Sequence, residues 1–209
     1  MNQKFFQFTD CDIEQPVAPL KNFMGIPDLV YDESFLNPLE QSSLLHDIDA
    51  QPWRDDLKRR VQHYGYRYDY KARKVDASMF LGVLPEFLAL VTARLVSSGL
   101  MPVVPDQVIV NEYQPGQGIS PHVDCEPCFG GTIATISLGS VYTMDFADTE
   151  SDDTKSIRLE LGSCLVFSKE ARYRWKHGIK ARMSDDGIPR KRRVSMTFRT
   201  VTHIVNGKD

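Results

Sequence analysis

The chain has 209 residues, of which 42% are hydrophobic and 25% are charged, and its formal net charge is −3. This length and composition are typical of one globular domain with a hydrophobic core. No run of about 18 apolar residues is present, which argues against a membrane span, and the N-terminus lacks the long apolar stretch of a signal peptide. We therefore expect a monomeric, intracellular protein, cytoplasmic or, in a eukaryote, nuclear, with no membrane partner.

The charge is unevenly distributed along the chain. Residues 54–74 carry eight basic and three acidic residues, and residues 169–199 carry eleven basic and three acidic residues. Two basic segments predict a surface that meets a polyanion, although a solvated charged face is the simpler interpretation. The first segment also contains Tyr64, Tyr66, Tyr68 and Tyr70. Aromatic rings beside basic side chains favour unpaired bases, which stack while their phosphates are neutralised.

The first half of the chain predicts helices. After an N-terminal extension of residues 1–25, residues 38–50 predict a helix that begins near Pro38. Its apolar face is formed by Leu39, Leu44, Leu45 and Ile48. Residues 85–98 predict a second helix, which Gly99 ends.

From residue 106 the hydrophobic period changes to two. Six short β-rich stretches lie beyond this point, separated by turn-forming residues: QVIVNEY, TIATISLG, YTMDF, IRLELG, SCLVFS and RRVSMTFR. Helices followed by many short strands predict an α+β fold, in which the strands close into a two-sheet jelly roll. Barrels of this kind hold ligands between their sheets.

The chain has four cysteines, Cys11, Cys125, Cys128 and Cys164. The Cys-x-x-Cys pair lacks the second pair of ligands that a structural zinc site usually needs. A thioredoxin-like redox motif would need a βαβ context, which this sequence lacks. We therefore expect free thiols.

Another pair in the same stretch predicts a metal site. His122 and Asp124 point to the same side of an extended segment, so both can reach one ion. Two histidines and one carboxylate bind Fe(II) on one face and leave three positions open. The best candidate for the third ligand is His177 in WKHGI, where Gly178 predicts a turn. The other histidines, His46, His63 and His203, lie in a predicted helix, in the first basic segment and near the C-terminus.

The last predicted strand, residues 193–199, alternates strictly. One face is apolar, with Val194, Met196 and Phe198, and the other carries Arg193, Ser195, Thr197 and Arg199. Arginines on the inner face of a barrel are costly without anionic partners, and a dicarboxylate supplies such partners through bidentate contacts. The alternative is an edge strand with one solvated face. Together with the metal ligands, this strand predicts an iron dioxygenase that uses 2-oxoglutarate.

The segments NEYQPGQGISPHVD, SLGS, HGI and RRVSMTFR resemble the AlkB family of Fe(II)- and 2-oxoglutarate-dependent dioxygenases, over residues 26–201. RRVQHYGYRYDY and NEYQPGQGI are most similar to the members that hydroxylate wobble uridines in tRNA. The resemblance implies one dioxygenase domain spanning residues 1–209. Its double-stranded β-helix core would cover residues 106–201, and residues 26–105 would supply helices packed on one sheet and a lid over the nucleotide. Fe(II), 2-oxoglutarate and O2 are the implied cofactors.

The resemblance also assigns roles to individual residues. The implied catalytic iron ligands are His122, Asp124 and His177, and the implied cosubstrate contacts are Asn111, Tyr113, Arg193, Thr197 and Arg199. The implied substrate contacts are Glu126 and the lid residues Arg59, Arg60, Tyr64 and Tyr66. Ser195 departs from the Asn found in the bacterial repair enzymes.

The activity implied by the resemblance is oxidation of nucleic acid. Oxidative demethylation of N-alkylated bases in DNA or RNA, as in alkylation repair, is the first hypothesis, with single-stranded or flipped-base nucleic acid as partner. Hydroxylation of a modified wobble uridine in tRNA and oxygenation of a protein are the alternatives. The tRNA-modifying members also have RNA-binding and methyltransferase domains, for which we expect no room in 209 residues.

Overall fold

The computed structural model describes residues 18–55 and 57–202. Most of the predicted N-terminal extension, with Cys11, lies outside these ranges. Within them the α-helices are α1 (Pro38–Asp49), α2 (Ala89–Ser97) and α3 (Lys169–Tyr173), and the 3-10 helices are Phe23–Gly25, Ala77–Met79 and Glu86–Leu88. The strands are β1 (Leu20–Lys21), β2 (Leu29–Asp32), β3 (Val61–Tyr64), β4 (Gln107–Tyr113), β5 (Ile119–His122), β6 (Thr132–Leu138), β7 (Tyr142–Asp148), β8 (Thr154–Leu159), β9 (Cys164–Ser168), β10 (Trp175–Ile179), β11 (Ser184–Asp185), β12 (Ile188–Pro189) and β13 (Arg193–Arg199).

The strands pair antiparallel in two sheets and one small hairpin. The major sheet has the order β1-β2-β9-β6-β13-β4-β3, and the minor sheet has the order β5-β10-β7-β8. The hairpin consists of β11 and β12. Helices packed beside two antiparallel sheets confirm the predicted α+β class.

Helix α1 begins with a capping box. The Asn37 side chain accepts hydrogen bonds from the backbone of Leu39 and Glu40, and the Glu40 carboxylate accepts one from the Asn37 backbone. Leu44 and Ile48 are buried, as predicted, but Leu39 is 83% exposed. Five positions separate Leu39 from Leu44, which is about 140° around the helix, so the two cannot share one narrow face.

The helices pack on the outer face of the major sheet. Buried residues of both helices, such as Ile48 and Leu95, form one hydrophobic cluster with Val194, Met196 and Phe198 of β13. The apolar face of the last predicted strand therefore points to the helices. Its polar face is left to point at the minor sheet, since side chains alternate along a strand.

All six predicted strands are present, as β4, β6, β7, β8, β9 and β13. Strands β5 and β10 were not predicted, and the turn expected at Gly178 is wrong, because Gly178 lies within β10. A Cβ atom at Gly178 would lie 2.8 Å from the backbone nitrogen of Pro121 and 2.9 Å from the carbonyl oxygen of Ile119. Glycine is needed there because β5 approaches closely, and not because the chain turns.

No α-helix among the described residues has both the length and the apolar character that a membrane crossing requires.

Candidate metal and cosubstrate site

Two short strands of the minor sheet place two imidazole rings side by side. His122 at the end of β5 and His177 in β10 are direct partners across the antiparallel pair. Their ring centroids are 4.6 Å apart. The close approach of β5 to Gly178 sets this spacing, so the local backbone determines the distance between the two rings.

Asp124 completes the set predicted from the sequence. One ligand atom from each of His122, Asp124 and His177 lies within 4.8 Å of the others, and His177 Nε2 is 3.5 Å from Asp124 Oδ2. Nδ1 of His122 lies 2.9 Å from the carbonyl oxygen of Ser120. Because a carbonyl only accepts, Nδ1 carries the proton and Nε2 keeps a free lone pair for a metal. Two nitrogens and one carboxylate oxygen fit Fe(II).

The electrostatics of the site keep these groups in their metal-binding forms. Burial lowers the pKa of His177 to about 4, against a smaller opposing effect of Asp124, so its ring is neutral at neutral pH. Burial raises the pKa of Asp124, but the positive charge of Arg199 outweighs this effect and lowers it to well below its usual range. The carboxylate is therefore charged, and a neutral imidazole and a charged carboxylate are the forms that bind metal.

The polar face of β13 lines the cavity that contains this triad. The cavity has a volume of about 770 Å³ and is lined by Arg193, Ser195, Thr197 and Arg199. Asn111 and Tyr113 of β4 line it too, because they pair with Ser195 and Arg193 across the two strands. The predicted iron ligands and the predicted cosubstrate contacts thus all line this one cavity.

Arg193 is a buried cation that has no anionic partner among the described residues. Only 1% of the residue is exposed, and its Nη2 donates a 2.9 Å hydrogen bond to Ser137 Oγ. Its guanidinium lies 5.5 Å from the ring of Tyr113 and 5.8 Å from that of Tyr142, while its buried Nε has no partner. Within residues 18–55 and 57–202 it forms no ion pair with a carboxylate. A carboxylate of 2-oxoglutarate fits this unsatisfied donor.

The residues predicted to contact substrate are not all in the cavity. Arg59 lines it, and its Nε donates a 2.8 Å hydrogen bond to Asn111 Oδ1. Arg60 points to the other side of the sheet, where its Nε lies 2.6 Å from Glu112 Oε2. Tyr64 packs against Phe87 beside the helices.

Two further predicted contacts also lie elsewhere. Tyr66 packs against Phe80. Glu126 is exposed and borders a shallower depression of about 300 Å³ beside Arg73. Neither residue lines the cavity that holds the triad.

Other residues of the first basic segment also line the cavity. We call residues 57–74 the covering segment; it contributes Leu57, Lys58, Arg59, Tyr68, Tyr70 and Arg73 to the lining. The tyrosine spacing gave a signal for this arrangement, but it did not show which rings face inward. Gly65 has a φ of 74°, so the chain turns there and the alternation of β3 does not continue.

The expectation of free thiols is wrong for two cysteines. Cys125 and Cys128 form a disulfide, directly after Asp124, and their sulfur atoms lie 3.2 and 3.3 Å from the carbonyl oxygen of Arg73. The turn after Asp124 brings the two side chains together, which the spacing alone did not reveal. Cys164 is free and buried.

Arg172 supports the same loop. Its Nη1 and Nη2 donate hydrogen bonds to the carbonyl oxygens of Asp124 and Cys125, at 3.0 and 3.3 Å. This residue was not predicted from the sequence, because nothing in its sequence context distinguishes it from its basic neighbours.

Comparison with known proteins agrees with this geometry. Residues 37–199 match the model of the 2OG-Fe(II) oxygenase superfamily, where 2OG denotes 2-oxoglutarate. The chain is 35% identical to the "Alkylated DNA repair protein ALKBH8 homolog" of Arabidopsis thaliana, with 93% of this chain and 63% of the relative aligned. It is 35% identical to the "tRNA (carboxymethyluridine(34)-5-O)-methyltransferase alkbh8" of Xenopus tropicalis, with 83% of this chain and 30% of the relative aligned. It is 28% identical to the "Probable RNA/DNA demethylase ALKBH6" of Danio rerio, with 86% of this chain and 88% of the relative aligned.

The chain therefore spans less than two thirds of the first two relatives. The solved structure of OsALKBH1 superposes with a TM-score of 0.61 at 19% identity, over 83% of this chain and 97% of that one. This likeness concerns the fold and confirms the jelly-roll core. The chain belongs to the AlkB-like branch of the 2OG-Fe(II) oxygenase superfamily and is a dioxygenase that uses Fe(II), 2-oxoglutarate and O2.

Proposed function

We propose that this dioxygenase oxidises a substituent on a nucleobase of DNA or RNA, and that the covering segment is the lid over that nucleotide. The observation that carries the proposal is the lining of the cavity above the metal ligands. The lining there includes Tyr68 and Tyr70 together with Lys58 and Arg73. Aromatic faces stack on unpaired bases, and basic side chains neutralise the adjoining phosphates.

The residues of this chain divide the work of the reaction between them. His122, Asp124 and His177 would hold Fe(II), which together with 2-oxoglutarate and O2 supplies the oxidising chemistry when bound. Arg193, Asn111 and Tyr113 would bind and orient the cosubstrate. The covering segment would exclude water and place the target carbon. A base in a duplex must be flipped out to reach this depth, at a cost of a few kcal/mol, which favours damaged or single-stranded substrates.

Two reactions fit this site. In the first, an N-methyl carbon is hydroxylated, and the product releases formaldehyde and the unmodified base; the relative named as an RNA/DNA demethylase favours it. In the second, a uridine side chain in tRNA is hydroxylated and keeps its oxygen. The relatives named for carboxymethyluridine 34 of tRNA favour that reaction.

The deciding experiment supplies both substrates to one preparation. Purified protein with Fe(II), 2-oxoglutarate and ascorbate is incubated with a methylated single-stranded oligonucleotide and, separately, with bulk tRNA. Each nucleic acid is then digested, and its nucleosides are identified and quantified by mass spectrometry. Loss of N-methyl bases with formaldehyde release establishes the demethylase. A tRNA nucleoside that gains one oxygen atom establishes the hydroxylase. If both pools are unchanged relative to the Asp124→Ala variant while 2-oxoglutarate is still consumed, the nucleobase proposal is refuted in favour of a protein substrate.

A further inference from the structure

The side chain of Asn111 is held from outside its own sheet. Arg59 of the covering segment donates a 2.8 Å hydrogen bond from Nε to Asn111 Oδ1. The same guanidinium lies 5.7 Å from the ring centroid of Tyr113. Both partners of Arg59 are therefore residues of β4 that line the metal cavity close to Arg193.

This hydrogen bond decides which end of the Asn111 amide faces the cavity. A carboxamide has one accepting oxygen and one NH2 group with two donors, whereas a guanidinium has only donors. The oxygen must therefore face Arg59, and the NH2 group turns away from it. Donors suit the carboxylate and keto oxygens of 2-oxoglutarate. The reversed amide would present an acceptor to an anion.

Tyr70 of the same segment reaches the same region. Its hydroxyl oxygen is buried and has no hydrogen-bond partner, and its electrostatic neighbours include Arg59, Arg199 and Tyr113. The covering segment thus places a guanidinium and an unsatisfied phenol beside the cosubstrate residues.

We propose that Arg59 is a positioning residue for the cosubstrate: it fixes the Asn111 amide so that the NH2 group donates to 2-oxoglutarate. This proposal rests on the dioxygenase assignment and does not depend on a nucleic-acid substrate. Because Arg59 belongs to the covering segment, cosubstrate binding and the closed arrangement of that segment favour each other, and by linkage the coupling is reciprocal.

The test is a double-mutant cycle measured by binding, without nucleic acid. Titration calorimetry gives the Kd of 2-oxoglutarate for protein loaded with Mn(II), for the parent, Arg59→Ala, Asn111→Ala and the double variant. Arg59→Ala should raise the Kd about 10-fold, which is the usual effect of losing one hydrogen bond to a charged group. In the Asn111→Ala background the same change should have an effect of less than about 2-fold. Equal effects in both backgrounds would show that Arg59 acts only through its charge and would overturn the proposal.

Two further variants serve as controls for this cycle. Arg67→Ala removes one exposed cation from the same segment without touching Asn111, and it should leave the Kd within about 2-fold, as expected for a surface change. Arg59→Lys keeps a donor and a charge and should restore part of the affinity, even if the alanine variant folds poorly.

Amide hydrogen exchange of residues 57–74 measures the coupling between cosubstrate binding and the covering segment. 2-Oxoglutarate should slow exchange there in the parent and not in Arg59→Ala. A parent segment that gains no protection would refute the coupling. Since no nucleic acid is present in any of these measurements, their failure is distinct from failure of the proposed function.

Discussion

Nη2 of Arg199 lies 2.6 Å from Oδ1 of Asp124, so that the end of β13 holds the carboxylate that comes after β5. The second carboxylate oxygen of Asp124 faces His177 Nε2. One oxygen is thus fixed by an arginine of the major sheet, and the other is turned to the metal ligands of the minor sheet. The predicted metal site depends on both sheets at this single side chain.

Replacing Arg199 by methionine should weaken metal binding and turnover by about 10- to 100-fold, the usual effect of losing a residue that orients a ligand. Losing the positive charge strengthens the attraction between Asp124 and a cation, but we expect the loss of orientation to dominate. Calorimetric titration with Mn(II) measures the affinity, and circular dichroism checks the fold. Arg199→Lys should lose less than the methionine variant. An unchanged Mn(II) affinity in Arg199→Met would show that Asp124 needs no such support.

Gly178→Ala should separate β5 from β10 and disturb the spacing between His122 and His177. The added Cβ would meet backbone atoms within 3.0 Å, and backbone cannot move aside as a flexible side chain can. We expect a stability loss of about 1–3 kcal/mol, measured by urea unfolding, together with weaker metal binding. Gly131→Ala is the matched control, because its Cβ would make an ordinary contact of 3.4 Å with the Tyr173 hydroxyl. Equal behaviour of the two variants would contradict this explanation of the glycine.

Glu112→Gln should destabilise the protein in a pH-dependent manner. Arg60 and then Arg192 hold the Glu112 carboxylate and, against its burial, lower its pKa from 4.5 to about 2. Because the pKa is lower in the folded protein than in the unfolded chain, the carboxylate stabilises above pH 4.5 and this contribution falls away as the pH drops toward 2.

Urea unfolding at pH 7 and at pH 3 measures this effect. A shift from 4.5 to about 2 corresponds to a cost of about 3 kcal/mol for Glu112→Gln at pH 7, and this cost should shrink at pH 3. Glu86→Gln, at an exposed position, should change stability by less than about 0.5 kcal/mol at either pH. If Glu112→Gln lowers the free energy of unfolding equally at both pH values, the ion pairs of Glu112 are not the cause of the loss.

Tyr68→Ala should weaken nucleic-acid binding, whereas Tyr66→Ala should lower stability. Tyr68 lines the metal cavity, so its loss should weaken binding of a single-stranded oligonucleotide about 5- to 150-fold, as for one stacked base. Tyr66 packs against Phe80 away from the cavity, and its loss should lower stability with little change in affinity. Fluorescence anisotropy with a labelled oligonucleotide measures both variants. Weaker binding for Tyr66→Ala than for Tyr68→Ala would reverse our assignment of the lid.

Simple periodicity in the sequence predicted the features that depend only on the alternation of side chains along a strand. The alternation of residues 193–199 gave both the face of β13 that meets the helices and the face that meets the cavity. The spacing of His122 and Asp124 gave two of the three residues that could hold the metal. Neither feature depends on how distant parts of the chain pair, so a short stretch of sequence is enough to predict it.

The features that escaped prediction depend on contacts distant in sequence. Strand β10 has the sequence WKHGI, in which Lys176 and Gly178 weaken the β-preference of the other residues. It is extended because β5 and β7 pair with it on either side. Arg59 and Arg60 are neighbours of the same type. One reaches Asn111 and the other Glu112, and only the pairing of β3 with β4 determines which side each one takes.

The place of β13 in the major sheet bears on how the protein is made. This strand lies between β6 and β4, although it is the last strand of the described chain. Until the ribosome has released residue 199, the nascent polypeptide has two unpaired strand edges facing a gap, and such edges invite pairing with other chains. The sheet therefore cannot be completed before residue 199 is available, and its completion depends on contacts between distant parts of the sequence, which form slowly. During synthesis, aggregation is the hazard that a chaperone would have to prevent at these two edges.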